Sequence, residues 1–217
     1  MNYKLGLYSV LALSLAVGAN FLIKNGAFGK YEEPSYRVLD EFADFEVREY
    51  NKRIVAEVEV AGPKEEALNT AFKILAGYIF GKNVSQKEIS MTAPVAQSKE
   101  SEKIKMTTPV AAESFEGKWK VKFFMPKKYS LDSLPKPVDE SISLKELDSQ
   151  LYAVKRFSGS ASKDRFEEKA SSLVTELEKS SSYEISGSSI DAYYNPPFTP
   201  PFLKRNEVMI PVVRVNQ

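Results

Sequence analysis

Two well-separated stretches of the chain repeat one pattern, and this repetition constrains the fold more than any other feature. Residues 45–62 align without a gap against residues 142–159, with three identities and several conservative pairs. In both stretches, β-branched and aromatic residues alternate with polar ones, which predicts two short strands. So few identities also fit two unrelated amphipathic stretches, and the alignment alone leaves chance similarity open.

A helix is predicted after each of these stretches, and the repeated order of elements favours a duplicated ββα unit. The first helix covers residues 64–80: Gly62 and Pro63 precede it, Gly81 follows it, and its apolar stripe consists of Ala67, Ala71, Ile74, Leu75 and Tyr78. The second helix can be capped by Ser160 or Ser162, and its stripe consists of Phe166, Ala170, Leu173, Val174 and Leu177.

Between the two units lies a shorter internal repeat. Residues 89–97 match residues 104–112 at six of nine positions, and the short polar linker predicts a hairpin. Further strands are predicted at residues 119–125, 183–194 and 207–215. About nine strands and two helices indicate an α+β fold, a strongly curved antiparallel sheet with both helices packed on it.

The absence of His and Cys excludes many kinds of site. Without them the chain has no thiolate nucleophile, no Ser-His-Asp triad, no HExxH zinc site and no imidazole ligand for haem iron. The carboxylates are scattered, so we predict neither catalytic residues nor a metal site. The 30 basic and 29 acidic residues are interspersed, and no nucleic-acid partner is expected.

Residues 1–30 are typical of a targeting segment with a linker, which leaves residues 31–217 as the folded domain. Lys4 is followed by 19 residues without a charge, Leu5–Ile23, and that length suits an uncleaved membrane anchor. Small residues at Val17–Ala19 also suit a cleaved signal peptide, and a buried core helix is a third interpretation. The sequence therefore predicts an exported protein, either membrane-anchored or periplasmic (extracytoplasmic), that contacts a membrane through this segment.

Three segments resemble the SOUL / haem-binding protein family. They are ISMTAPV at residues 89–95, EEALNTAFKILAGYIFGKN at residues 65–83, and YYNPPFTPPFLKRNEV at residues 193–208, and the likeness runs from about Tyr36 to Val213. The resemblance implies a distorted antiparallel β-barrel of two similar halves flanked by two helices. It also implies that haem or a related porphyrin binds in a shallow apolar groove beside the first helix. Because this chain has no His, only binding through apolar contact, without a His axial ligand, carries over easily.

The first helix has a wider apolar arc than one sheet requires. Leu68, Phe72, Ala76 and Ile79 extend it, whereas the second helix has Glu167, Ser171, Thr175 and Glu178 at the corresponding positions. This extra face predicts either a ligand groove or burial under another segment. The segment PPFTPPF at residues 196–202, with Phe198 and Phe202, is the expected lid or permanent cover.

Polar and sulfur-containing side chains complete the candidate site. Asn69 and Lys73 adjoin the apolar face, and Lys73, Lys82, Lys204 and Arg205 are candidates to pair with haem propionates. Met91, Met106, Tyr193 and Tyr194 are candidate iron ligands, although such residues more often only pack in a core. The predicted tetrapyrrole-binding residues are Leu68, Asn69, Phe72, Lys73, Ala76, Ile79, Met91, Tyr194, Phe198, Phe202 and Arg205.

These patterns predict a non-enzymatic haem or porphyrin binder that acts as carrier, buffer or sensor. Two alternatives stay open at this point. The same apolar face could bind a protein that the sequence does not identify, or the chain could be an enzyme that removes the metal from the tetrapyrrole.

Overall fold

A computed structural model describes residues 31–85, 101–196 and 198–215 of the chain. Glu32–Gln217 forms one compact unit, separate from Met1–Tyr31. Within the described residues, no helix has the length and apolar character needed to cross a membrane.

The described residues form two long helices and twelve strands, several of them only two or three residues long. The helices are α1 (Lys64–Ile79) and α2 (Lys163–Ser180), and a 3₁₀ turn covers Pro201–Leu203. The strands are β1 (Tyr36–Glu41), β2 (Glu46–Tyr50), β3 (Arg53–Ala61), β4 (Asn83–Val84), β5 (Val110–Phe115), β6 (Lys118–Phe124), β7 (Lys136–Pro137), β8 (Ser143–Leu147), β9 (Gln150–Phe157), β10 (Tyr183–Ile185), β11 (Ile190–Tyr193) and β12 (Asn206–Arg214).

Ten of these strands form one curled antiparallel sheet. Its order is β1-β2-β9-β12-β11-β5-β6-β3-β8, with β10 added beside β12, while β4 and β7 pair separately. The sheet curls into a half-barrel that the two helices flank. The predicted α+β class, a distorted antiparallel barrel of two similar halves flanked by two helices, is confirmed.

The two predicted ββα units pair with each other reciprocally and in one shared register. β2 lies beside β9 and β3 beside β8, so the first strand of each unit pairs with the second strand of the other. Val47 lies opposite Ala153, and Ala56 lies opposite Leu144. Leu144 is 97 residues after Val47 and Ala153 is 97 residues after Ala56, the same offset as in the sequence alignment, so the two pairs are equivalent. The aligned stretches therefore occupy equivalent places, while their descent from one duplicated segment stays a prediction.

The correspondence between the two ββα units continues through the strands at the centre of the sheet, so that it relates two halves of the domain. β5 and β11 pair with each other there, and moving outwards β6 corresponds to β12, β3 to β9 and β8 to β2. Each half thus has the chain order ββαβββ, from β2 to β6 in the first and from β8 to β12 in the second, although the short β4 and β10 lie outside this correspondence. The connection between β11 and β12 consequently has a counterpart, the short turn at Glu116–Gly117 between β5 and β6.

Alternating strand residues divide the core between the two faces of the sheet. On one face α1 packs against β3 and β6 through Leu75 and Tyr78, and α2 packs against β9 and β12 through Phe166 and Leu173. The other, inner face has its own aromatic cluster, which contains Tyr50, Phe124, Tyr152 and Tyr194. A residue of this inner cluster cannot lie on the same surface as the helices.

Two strand predictions differ from the structure, and three strands were not predicted. The strand predicted at residues 183–194 is interrupted at Ser186–Ser189, where Gly187 approaches Pro211 so closely that an added Cβ would lie 3.2 Å from its ring. The strand predicted at residues 104–112 begins only at Val110, and β1, β4 and β7 were not predicted. Residues 89–97, the other half of the predicted hairpin, lie outside the described residues.

Candidate functional site

Helix α1, the centre of the predicted site, begins and ends where local sequence signals place it. Pro63 directly precedes its first residue, and Glu65 and Glu66 in the first turn suit the positive end of the helix dipole. Gly81, with a φ of 117°, ends it, and the Lys82 amide donates to the Gly77 carbonyl at 2.9 Å. The aliphatic part of Lys82 lies over Gly77, where an added Cβ would meet Lys82 Cδ at 3.1 Å.

The extra apolar face of α1 is present but contains a different fourth residue. Leu68, Phe72 and Ala76 are partly exposed, with Phe72 40% exposed. Ile79 is only 1% exposed and belongs to the core, because it follows Leu75 by four residues and so continues the core stripe. Phe80, which caps the helix, is 58% exposed and takes its place. We call Leu68, Phe72, Ala76 and Phe80 the α1 ridge.

Helix α2 has no such ridge. At the positions 99 residues further along the chain it has Glu167, Ser171, Thr175 and Lys179, and all four side chains are exposed. The α1 ridge contacts the sheet through an aromatic pair, because the ring of Phe72 lies 5.4 Å from that of Phe123 in β6, at an angle of 63°. The exposed apolar row is therefore a property of one half of the domain.

Polar residues adjoin the α1 ridge on the side expected from the sequence. Asn69 and Lys73 are exposed, each one position after a ridge residue. Lys82 lies alongside the last turn through its contact with Gly77. An apolar row beside two ammonium groups suits a flat apolar ligand that carries acidic groups at its edge.

The loop after β11 does not cover this ridge. Phe198 and Phe202 are 78% and 76% exposed, so neither ring packs on another part of the described domain. The loop is attached beside α2, because the Gly159 amide donates to the Pro201 carbonyl at 2.9 Å. The expectation that residues 196–202 form a permanent cover over α1 is wrong in this structure.

Tyr194 and Arg205 lie away from the ridge, on the inner face, around a carboxylate that the sequence did not single out. Glu207 is completely buried. Its carboxylate accepts hydrogen bonds from the Tyr194 hydroxyl at 2.6 Å, from Arg48 at 2.9 Å and from Arg205 at 3.0 Å. Burial opposes ionisation of Glu207, but hydrogen bonding and the charges of both arginines outweigh it, so its pKa is lowered. Burial and the Glu207 charge raise the pKa of Tyr194.

The described residues offer no strong ligand for haem iron near the ridge. Tyr78 is buried and donates to the Pro135 carbonyl at 2.8 Å, and burial, followed by the charge of Tyr129, raises its pKa. Tyr193 donates to Asp191 at 3.4 Å, and burial followed by that carboxylate raises its pKa. Met106 is partly buried against the core beneath α1, and Met91 lies outside the described residues. Groups of three or more potential metal-ligating His, Cys, Asp or Glu side chains are also absent from the described part.

A cavity of about 400 Å³ lies elsewhere, and charged and polar side chains are mixed with apolar ones in its lining. Glu33, Arg53, Phe124 and Glu146 are among its lining residues. The Arg53 guanidinium lies 5.0 to 5.7 Å from three aromatic rings and donates to the Tyr152 hydroxyl at 3.2 Å. This cavity is a second candidate site, and its charged side chains suit an apolar macrocycle less well than the α1 ridge does.

Comparisons with known proteins agree with the fold and with the resemblance seen in the sequence. Bovine (Bos taurus) Heme-binding protein 1 is 28% identical over 198 residues, which are 87% of this chain and 96% of that protein. Mouse (Mus musculus) Heme-binding protein 1 is 29% identical over 194 residues, with 87% and 97% of the two chains covered. A solved structure described as "Cryo-EM structure of EcmrR-DNA complex in EcmrR-RPo" has 11% identity, covers 98% of this chain and 69% of its own, and has a TM-score of 0.52. At this identity it is similar in fold alone.

The family itself follows from a match over most of the chain. The family model described as "SOUL heme-binding protein" matches residues 31–211, from the start of the described domain to within β12. The chain belongs to the SOUL heme-binding protein family.

Proposed function

We propose that this protein binds haem or a related tetrapyrrole on the α1 ridge and acts as its carrier, buffer or sensor. The observation that carries this proposal is the exposed apolar row on α1, which α2 lacks. Family membership supports the ligand class. Phe72 and Phe80 are about half exposed, so the α1 ridge presents apolar surface to solvent. Removing such surface from water by binding a ligand is favourable.

The ridge suits a macrocycle that binds on its face. Phe72 and Phe80 would contact the ring, and Lys73 and Lys82 would pair with its carboxylates through charge-assisted hydrogen bonds. The described tyrosines near the helices hold their protons in hydrogen bonds, and the sequence has no His or Cys. Binding would therefore depend on apolar contact and on charge at the ring edge, with iron ligation weak.

A haemin titration of the full chain, followed by absorbance, tests the proposal. The variant is Phe72→Ser with Phe80→Lys, which copies the residues of α2 at positions 171 and 179. We expect haemin binding to weaken by at least about tenfold, because burial of an aromatic side chain contributes about 1.5–3 kcal/mol. The matched control is Phe115→Ser, since Phe115 is 41% exposed, almost the same fraction as Phe72, but belongs to β5.

The same titration separates the other candidate functions. Unchanged affinity in the ridge variant, with the control also unchanged, would place the ligand elsewhere, and Arg53→Gln would then test the 400 Å³ cavity. If wild-type protein takes up no haemin, the exposed ridge favours the protein-interaction alternative. Loss of the pigment's metal over hours would identify a metal-removing enzyme instead.

We further propose that residues 1–30 attach the domain to a membrane, as an anchor or as a signal segment before cleavage. The support is the run of 19 uncharged residues at Leu5–Ile23. Flotation of the full chain with lipid vesicles tests this attachment. Full-length protein that stays at the bottom of the gradient, while correctly folded, would contradict it.

A further inference from the structure

The loop between β11 and β12 displays three large apolar side chains. Phe198 is 78% exposed, Phe202 is 76% exposed and Leu203 is 47% exposed. We call these three residues the loop tip. Apart from the α1 ridge, residues such as Leu131 and Val138 are exposed singly, but the loop tip gathers three such side chains within six residues. An exposed apolar group of this kind is typical of a surface that binds something.

The backbone holds the loop tip in a fixed shape. The Thr199 amide donates to the Pro196 carbonyl at 3.0 Å, and the Leu203 amide donates to the Pro200 carbonyl at 2.9 Å. Thr199 points inwards and is 3% exposed, while the Arg205 amide donates to Asn195 Oδ1 at 2.6 Å. The rings are therefore presented outwards by an ordered turn, and little conformational entropy remains to be lost on binding.

The N-terminal segment joins the domain at the base of this same loop. Arg205, two residues after Leu203, donates from Nη1 to both carboxylate oxygens of Glu33 at 3.0 Å. Glu32 is fixed as well, since its carbonyl accepts from the Thr108 amide at 3.0 Å and its carboxylate from the Lys127 amide at 2.8 Å. The chain that leads to the apolar run thus joins the domain at the base of the loop that carries the loop tip.

The linker limits how far this point can be from a membrane. Nine residues lie between Ile23 and Glu33, and the ten steps from one to the other span at most about 36 Å, at about 3.6 Å per step in an extended chain. With residues 5–23 in a bilayer, the loop tip would be held near its surface. Lys204 follows the tip directly, and a basic residue there suits anionic headgroups.

We propose that Phe198, Phe202 and Leu203 insert into the interfacial region of a lipid bilayer, so that the domain docks on the membrane through this loop. The inference rests on the proposed membrane attachment of residues 1–30. The other half of the domain provides a comparison, because its equivalent connection is only the turn at Glu116–Gly117. β5 and β11 are antiparallel neighbours, with Tyr193 opposite Val110, so that turn lies at the other end of their ladder.

The absence of cysteine makes a direct test possible. Single cysteines replace Phe198, Phe202 or, as the control, the exposed Ser114 of β5, and each carries an environment-sensitive fluorophore. The full chain is reconstituted in vesicles of phosphatidylcholine and phosphatidylglycerol that contain a lipid-attached quencher. We expect a blue-shifted, lipid-quenched emission at positions 198 and 202, and an aqueous emission at position 114.

Flotation of the same samples separates this proposal from the one on which it rests. If the chain floats with the vesicles while labels at 198 and 202 stay aqueous, the docking inference is wrong and membrane attachment stands. If the chain does not float, both fail. A blue shift that appears without lipid and grows with protein concentration would assign the loop tip to a second copy of the chain, which also overturns bilayer insertion.

Discussion

Lys64, the first residue of α1, places its ammonium group 2.5 Å from the carboxylate of Asp191 on β11. Both side chains are nearly buried, with exposures of 12% and 10%, and the pair joins the helix of the first half to a strand of the second. The Lys64 ammonium also lies 5.0 Å from the Trp119 ring and 5.3 Å from the Phe166 ring. This contact therefore links the two halves near the centre of the sheet.

The equivalent residue of α2 provides a control for this contact. Lys64→Met should lower the free energy of unfolding by about 3 kcal/mol at neutral pH, because it leaves a buried carboxylate without a partner. Lys163→Met, 99 residues further along, should cost less than about 1 kcal/mol, since Lys163 and its partner Glu167 are both 61% exposed. Urea denaturation of both variants measures the difference. Equal effects would mean that the buried pair does not stabilise the domain.

The pH dependence of the Lys64→Met variant has a definite sign. Burial raises the pKa of Asp191, and the charge of Lys64 opposes this rise. A raised pKa means that the native state favours the protonated carboxyl, so its contribution to stability is fully present at low pH and is lost as pH rises through the folded value. Removing Lys64 raises that value further, and the penalty of the substitution should shrink on acidification. A penalty that grows as pH falls would contradict this account.

Glu207 should behave in the opposite way. Its pKa is lowered, because hydrogen bonding and the charges of Arg48 and Arg205 outweigh the effect of burial. The stabilisation is present above the usual glutamate pKa of about 4.3 and is lost as pH falls through the folded value. Glu207→Gln should cost about 3 kcal/mol at neutral pH, since Arg48, 3% exposed, loses its buried counterion.

A nearby carboxylate serves as the control for Glu207. Glu33 also pairs with Arg205, but its side chain is 38% exposed, so Glu33→Gln should cost less than about 1 kcal/mol. Denaturation of the two variants at neutral and acidic pH compares them. If the Glu207 variant loses stability on acidification as steeply as wild type does, Glu207 is not the group that titrates.

The sequence predicted what is determined locally. The start of α1 at Pro63, its end at Gly81 and the apolar stripe of α2 all depend on neighbouring residues. The reciprocal pairing of the two ββα units is consistent with the gapless alignment of residues 45–62 with 142–159, because both ladders share one register. The network around Glu207 could not be predicted in this way, since Arg48 and Glu207 are 159 residues apart and meet only when the sheet curls.

The α1 ridge was predicted only in part, and the error has a geometric cause. A helical projection places Ile79 near both the α1 ridge and the core stripe. In the structure its side chain is buried in the core. Phe80 ends the helix with φ and ψ of −91° and 11°, so its side chain departs from that projection. Likewise, Tyr194 and α1 lie on opposite faces of the sheet, which follows from strand alternation once the register is known.

This difference between neighbouring residues is testable. Ile79→Glu should destabilise the domain by about 3–5 kcal/mol, because it buries a charge without a partner. Phe80→Lys copies the exposed Lys179 of α2 and should change stability by no more than about 0.5 kcal/mol. Thermal denaturation of the two variants gives the comparison. Similar melting temperatures would mean that Ile79 is not part of the core.

The boundary of the domain can be tested by two truncations. Removal of residues 1–30 should leave stability unchanged, since the contacts of Glu32 and Glu33 remain. Removal of residues 1–34 deletes the bonds to Thr108, Lys127 and Arg205, and should cost about 2 kcal/mol at the usual net contribution of a hydrogen bond. Thermal melting measures both. If the shorter deletion yields only aggregated protein, the N-terminal segment belongs to the core.

The iron of bound haem should have no strong side-chain ligand. Tyr193 and Tyr194 donate to Asp191 and Glu207, and burial, with those carboxylates, raises the pKa of both, so neither is poised to become a phenolate ligand. The sequence has no His or Cys, and its candidate thioether ligands are Met91 and Met106. We therefore expect haem on the full chain to have a weakly ligated spectrum that the α1 ridge variant abolishes.

Substitution of the remaining candidate ligands makes this expectation precise. The variant Met91→Leu, Met106→Leu, Tyr193→Phe and Tyr194→Phe removes them together, and absorbance and electron paramagnetic resonance spectra should match those of the wild-type complex. A strong six-coordinate low-spin signal in wild type that disappears in this variant would identify a side-chain ligand among the four. The same signal surviving in the variant would show that another group ligates the iron, and haem would then not be held by apolar contact and edge charge alone.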